Sequence, residues 1–187
     1  EICEHVADDP AVEVPFEYTC VDHPTTDRSL ETLSDALAGM PAYSKREREH
    51  NTVRAIADYL LGDNAGDAVF EEIQTSGRYP KLQVWANTDN REQLATMVPQ
   101  YGTLSFTLAG AHQWCDSDAP TKRVSIDPFV PHGSVLAPGV TDADTAIRVG
   151  DEVVVDGAKA FAIGKAAMNG SEMVESTRGV AVEVRHV

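Results

Sequence analysis

The sequence predicts an α+β chain in three parts: a small N-terminal α/β segment, an α+β domain with an antiparallel sheet, and a C-terminal β-barrel. Three observations carry this. The stretch 43–62 repeats apolar residues at helical spacing, with Val53, Ile56, Ala57, Leu60 and Leu61 on one face. The residues after it read as β-rich runs broken by a polar turn. From Lys122 onward, many short β-rich runs alternate with glycine turns, the pattern of a small closed barrel.

The first part, 1–40, reads helix, strand, helix. Residues 12–21 (VEVPFEYTCV) are rich in β-formers, and HPTT makes a turn. Thr26 or Asp27 can cap a helix through 29–39, whose Leu30, Leu33 and Leu37 form a stripe that ends at Gly39 and Pro41. One strand between two helices buries too little to fold alone. The segment therefore reads as the tail of a preceding domain or a lid on the next one, and the start at Glu1 rather than Met leads to the expectation of a fragment of a longer protein.

The second part, 41–120, is built on the helix YSKREREHNTVRAIADYLLG. Ser44 with Glu47 three residues on makes a capping box, and Gly62 stops the helix. Strands are expected at 81–87 (KLQVWAN), 93–102 (QLATMVPQYG) and 103–114 (TLSFTLAGAHQW), with CDSDAP as a polar linker. The third part, 121–187, is expected to hold a strand VSID, a helical turn around 128–132 and a strand at 134–137. The turn APG and a short helix at 142–147 follow, then strands at 152–156, 160–168 and 179–187.

Charge limits function. Thirty acidic residues face fifteen basic ones, a net charge of -15, and Arg outnumbers Lys ten to five. An acidic, Lys-poor surface suits concentrated salt, where carboxylates hold water and salt screens their repulsion. A halophilic source is expected. The acidity is uneven: from Lys122 onward there are seven basic and nine acidic residues, against eight and twenty-one before it. A near-neutral nucleic-acid binder and a small barrel with less surface for carboxylates both fit that difference. No apolar run is long enough to span a bilayer, and three cysteines make no disulfide framework, so a cytoplasmic location is expected.

Catalytic constellations are missing. There is no GxSxG elbow, no P-loop and no GxGxxG. Cys3, His5, Cys20 and His23 have poor spacing for zinc, so no metal and no cofactor is assigned. Cys20, or Cys115 three residues after His112, could serve as a nucleophile only with a depressed pKa. Two groups of cations stand against the acidic background. Lys45, Arg46, Arg48 and Arg54 gather at the start of the central helix, where they can meet phosphates or form pairs such as Arg54 with Asp58. In the last part, Arg123, His132, Lys159, Lys165, Arg178 and Arg185 are interleaved with Gly133, Gly139, Gly164 and Gly179. These glycines can be turn residues, or can let an RNA backbone approach.

The text DPFVPHGSVLAPGVTDADTAIRVGDEVVVDG, followed by AIGKAAMNGSEMVESTRGVAVEVRHV, resembles a PUA domain, the RNA-binding module at the C-terminus of several tRNA- and rRNA-modifying enzymes. The preceding RAIADYLLGDNAGDAVF and GRYPKLQV look like the pre-PUA domain of archaeal tRNA-guanine transglycosylases and their paralogue family, the archaeosine synthases. In that family these two domains grip tRNA and the chemistry lies elsewhere. The transglycosylase's catalytic aspartates and zinc cysteines, and the synthase's Pro-Cys and Lys-Pro-Tyr motifs, have no match here. The lead-in segment looks more like that of the synthase.

The resemblance implies a tRNA-binding, noncatalytic C-terminal region of an enzyme of 7-deazaguanine (archaeosine) tRNA modification, with a homodimer formed through the parent enzyme. It places Gly133, Ser134, Val135, Pro138 and Gly139 on the loop and strand that meet RNA, with Lys165 and Arg178 flanking them. Arg123 and His132, with Lys45, Arg46 and Arg48 on the helix, complete the expected RNA-binding set. An assembly module that docks to another domain is the reading from a different class.

Overall fold

A computed structural model describes residues 44–78 and 80–187. The expected helix–strand–helix of 1–40, with Cys3, His5, Cys20 and His23, lies outside the described residues.

The central helix α1 runs Lys45–Leu61. Its capping box is present: the Ser44 amide donates to the Glu47 carboxylate at 2.6 Å, and the Glu47 amide donates to Ser44 Oγ at 3.2 Å. Gly62 closes the helix at φ 125°, backbone that a side chain would strain. A short helix α2 (Ala65–Val69) follows, then strands β1 (Ile73–Ser76), β2 (Gln83–Ala86), β3 (Gln93–Val98) and β4 (Thr103–Phe106). These four form one antiparallel sheet in sequence order. The sequence reading missed α2 and β1, and it carried the last strand too far. Residues Leu108–Asp116 are helix α3, because Thr107 Oγ1 caps the Gly110 amide and so ends the strand. Buried Gly110 lets the helix lie against β3: a Cβ there would stand 2.0 Å from the Leu94 carbonyl oxygen.

The second sheet has six strands in the order β6-β10-β9-β8-β5-β7. They are β5 (Arg123–Ile126), β6 (Ser134–Leu136), β7 (Val140–Ala143), β8 (Glu152–Gly157), β9 (Ala160–Ala166) and β10 (Val180–His186). A 3₁₀ turn at Ala137–Gly139 joins edge strands β6 and β7, and β5 pairs parallel to β8. The expected barrel is thus a sheet curled to a half-barrel, since β6 and β7 remain its two edges. Residues 128–132 bend without helix, and 142–147 open as the end of β7 rather than as a helix. A helix α4 (Gly170–Glu175) stands where the sequence reading had none, packing Met173 inward.

Two cores hold these sheets. The half-barrel buries Val124, Val135, Ile147, Val153, Val155 and Val182 among others. The first sheet and its helices close over Val53, Phe70, Val84, Leu104, Phe106 and Trp114, and this core also takes in Val154 and Ile163 from the half-barrel. The two sheets therefore share one apolar seam. Phe70, Phe106 and Trp114 stack in series within the first core, at 5.8 and 5.4 Å between ring centroids. No helix among the described residues is long and apolar enough to cross a membrane.

Candidate nucleic-acid interface

Strand β6 and the turn after it make the site. Period-two alternation sends the Val135 side chain into the core and leaves Ser134 and Leu136 facing outward. Gly133, at φ 77°, turns the chain into this strand, and its carbonyl accepts from the Val184 amide at 3.0 Å. At the other end the Gly139 carbonyl accepts from the Asp127 amide at 3.0 Å. The Phe129 ring lies directly against Gly139, where a Cβ would stand 2.9 Å from Cε1. The turn and the Phe129 loop are thereby clamped face to face.

Between them opens a groove of about 560 Å³, walled by Phe129, Val130, Leu136 and Pro138 with Asp127 and His132 as its charged or titratable members. Val130 and Leu136 are half-exposed, and Val180 sits opposite Leu136 on β10. Exposed apolar side chains gathered in this way mark a binding surface more than a solvated one. The chemistry suits a flat group with polar edges, such as a base with its ribose. A bare phosphate would meet the Asp127 carboxylate.

The expected RNA-binding residues fall into separate places. His132, Ser134, Pro138 and Gly139 line the groove, and Gly133 links two of these along the chain. Val135 can offer only its backbone. Arg178 is brought close: the Gly179 carbonyl accepts from the Ala137 amide at 2.9 Å, which ties the loop bearing Arg178 to the turn.

Lys165 is not part of the groove. Register places Ser134, Glu183, Lys165 and Glu152 in one row across β6, β10, β9 and β8, so Lys165 is two strands away, about 10 Å. Its ammonium lies 5.0 Å from the centroid of the Tyr101 ring. Arg123 begins β5, at the far end of that strand from Asp127, and is paired with Asp156 at 2.5 Å. Lys45, Arg46 and Arg48 sit exposed at the start of α1, on the first domain.

Arg54 has a structural role. It donates to the carbonyls of Phe70 and Glu71 and pairs with Asp67 at 3.4 Å; Asp58, the partner expected from helical spacing, instead accepts from the Gly66 amide. Sequence reasoning missed Asp127, Phe129, Val130 and Leu136. The outward phase of Leu136 was legible in the alternation of Ser-Val-Leu, but the approach of Phe129 to Gly139 was not.

The thiol reading finds no support at Cys115. Burial pushes its pKa up, the reverse of what a nucleophile needs. His112 is stacked on Phe161 at 4.1 Å between centroids. Among the described residues no group of three or more His, Cys, Asp or Glu is placed to hold a metal.

Comparison with known proteins agrees with this architecture. The family model of the PUA domain matches residues 125–187, and that of the patch-forming domain C2 of tRNA-guanine transglycosylase matches residues 51–120. An archaeosine synthase of Haloferax volcanii is 62% identical over 189 aligned residues, covering 100% of this chain and 32% of that protein. An archaeosine synthase subunit alpha of Methanosarcina acetivorans is 41% identical, covering 100% of this chain and 31% of its own length. A crystal structure of a protein of unknown function superposes with a TM-score of 0.68 at 28% identity, covering 99% of this chain and 62% of that one. The chain spans about a third of the length of the curated relatives it matches.

Proposed function

Through its joined C2 and PUA domains the chain belongs to the archaeosine synthase and tRNA-guanine transglycosylase family, and from this we propose that it is the tRNA-gripping C-terminal region of an archaeosine synthase. The observation that carries the choice of synthase is the 62% identity maintained over the whole chain. Catalysis belongs to the remainder of the parent enzyme, and this region supplies grip and position.

In this reading the groove beside β6 receives an unpaired or terminal nucleotide. Phe129, Leu136 and Pro138 offer it an apolar wall, and His132, Ser134 and Asp127 offer partners for base or sugar edges. Arg178 reaches the adjoining phosphate as a charged fork. The half-barrel carries little net charge, and molar salt screens the acidic remainder, so short-range shape and stacking set the affinity. That resolves the conflict between an RNA ligand and a chain of net charge -15.

Titration of the full chain with tRNA in molar KCl tests the proposal. Preference for tRNA over an unstructured RNA of equal length, by about tenfold or more, is expected, in line with the step between specific and non-specific binding. Equal affinity for the two would refute it.

A further inference from the structure

The two domains are joined without a shared ladder. Among the described residues no backbone–backbone hydrogen bond crosses between them, and three hydrogen bonds made by side chains do. All three lead to one place, the adjacent carboxylates Asp151 and Glu152 where β8 begins. Lys122 Nζ donates to the Leu60 carbonyl at 2.8 Å and to Asp151 Oδ2 at 2.8 Å. Arg185 forks onto Glu152 and also donates to Ser105 Oγ. Glu152 Oε2 itself accepts from the Phe106 amide at 3.3 Å.

Two of these bonds meet a backbone group that its own element leaves open. Leu60 lies in the last turn of α1, where carbonyls lack an intrahelical partner and a cation is favoured. That turn holds no basic residue of its own, so the cation comes from across the joint. Strand β4 is the outermost of its sheet. Because the Thr107 amide donates to the Leu94 carbonyl, the alternation of the ladder turns the Phe106 amide away from β3. Glu152 takes that amide. On α3, His112 stacks on Phe161 of β9. The half-barrel thus grips the first domain at three elements, α1, β4 and α3.

Both pairs are enclosed: the Glu152 side chain is 10% exposed and that of Lys122 16%. Salt screens enclosed charges far less than exposed ones, so the pairs persist in concentrated KCl. Stability alone does not explain them. Burial pushes the Glu152 carboxyl up against the pull of Arg185, and a well-packed apolar pair would hold the domains together as well or better. What the charges add is direction. The apolar seam is non-directional and tolerates sliding. The Phe106 amide and the Leu60 carbonyl instead demand a partner at a set distance and angle, which only one placement of the domains provides.

We propose that Asp151 and Glu152, with Lys122 and Arg185, are positioning residues that set the angle between the two domains, and with it the place where the groove beside β6 meets tRNA. This rests on the reading of the chain as a tRNA-gripping region, and none of the four residues has to touch the RNA. Strand β10, which carries Arg185, pairs with β6, and the Val184 amide donates to the Gly133 carbonyl. The groove therefore moves with the joint as one body. A tRNA held by both domains gains from a fixed angle, because its second contact then forms at a high effective concentration.

The test compares the wild-type full chain with Lys122→Met/Glu152→Gln, a double variant of unchanged net charge. Residual dipolar couplings of the backbone amides are measured at pH 8, above the Glu152 pKa of about 7. Binding of an in vitro tRNA transcript is titrated across a KCl series. One alignment tensor should fit both domains of the wild type, and each domain of the variant should need its own. The amide shifts of Phe129 and Gly139 should stay in place, which shows an intact groove. Affinity for tRNA should fall about tenfold with the lost pre-organisation. The slope of log K against log[KCl] should hold, since no phosphate contact is removed. Ser105→Ala removes one bond of the joint and leaves the enclosed charges paired. It should move the couplings and the affinity the same way by less, and it decides the matter if the double variant does not fold. Wild-type couplings in both variants overturn the proposal, because the apolar seam then holds the angle alone. Separate tensors with undiminished tRNA affinity overturn it too, and so does a reduced salt slope, which would make Lys122 an RNA contact. Absence of tRNA binding by the wild type overturns the underlying reading instead, while the couplings still report on the joint.

Discussion

Glu152 of β8 and Arg185 of β10 form a two-pronged ion pair, with Arg185 Nη2 at 2.5 Å from Oε2 and 2.8 Å from Oε1. The same carboxylate accepts from the Phe106 amide at 3.3 Å, and Arg185 also donates to Ser105 Oγ. Both added contacts reach into the first sheet. The pair thus fastens the PUA half-barrel to the domain before it, alongside the shared core and the contact of Lys122 Nζ with the Leu60 carbonyl at 2.8 Å.

Stability should depend on Glu152 in a defined pH window. Burial pushes its pKa from 4.5 up to about 7, against the opposing pull of Arg185, the Phe106 amide and Lys165. A carboxyl with a raised pKa keeps its proton in the folded state while the unfolded chain has lost it. Its contribution is therefore complete below about pH 4.5 and declines until about pH 7, by at most about 3 kcal/mol. Glu152→Gln should remove this decline. His50 titrates in the opposite sense, since burial lowers its pKa, and it cancels in the difference between the two proteins. A difference in unfolding free energy that stays flat from pH 4.5 to 7 would count against the assignment.

Ser44→Ala should cost about 1 kcal/mol, the usual value of a lost cap, and lower the melting temperature by about 2–4 °C. The capping box also holds Glu47 in place beside Arg46 and Arg48. Thermal unfolding at fixed salt measures the effect, and Ser44→Asp, which keeps an acceptor, should recover most of it.

Gly139→Ala should weaken tRNA binding more than it weakens the fold. The new methyl would stand 2.9 Å from Phe129 Cε1, so this ring, which lines the groove, has to shift. A fall of about fivefold or more in affinity is expected for this loss of a stacking wall. Gly133→Ala has open space around its Cβ but a backbone at φ 77°, so its cost should appear as about 1 kcal/mol of stability. Paired melting and titration of the two variants separates these effects.

Cys115 should react slowly with iodoacetamide at pH 8, well below the rate of an exposed peptide thiol, because burial raises its pKa. Cys115→Ser should keep full tRNA affinity. A rate above that of the free peptide would revive the nucleophile reading.

Much of the fold was legible because its signals are local. The apolar spacing of α1, its cap at Ser44 and its stop at Gly62 all lie within a few turns of one helix. The strands around Val153 to Val155 and Ala181 to Val184 announce themselves by β-branched residues. Errors came where a local signal is weak or two states compete. The run from 103 to 114 holds no Pro, Asp, Glu, Lys or Arg to break it, and only the Thr107 cap divides strand from helix. Helix α4 is six residues long, too short for a periodic pattern, and is held by packing Met173.

The candidate site was legible only in part. The Gly-Ser-Val-Leu-Ala-Pro-Gly text located the β6 turn, and the groove is there. The cations could be named but not placed. Arg54 was grouped with Lys45, Arg46 and Arg48, yet carbonyls seventy and seventy-one in the chain claim it. Lys165 was set beside the turn, yet register moves it two strands away to Tyr101.

By itself, then, the sequence determined the class of the two described domains and the order in which they stand. These follow from residue periodicity, turn chemistry and charge count, which act over a few neighbours along the chain. The tertiary structure alone decided that Glu152 meets Arg185 and Phe106, that Phe129 walls the groove, and that Lys122 reaches the last turn of α1. Those meetings depend on strand order and sheet curvature, which bring together residues tens of positions apart and which no local pattern encodes.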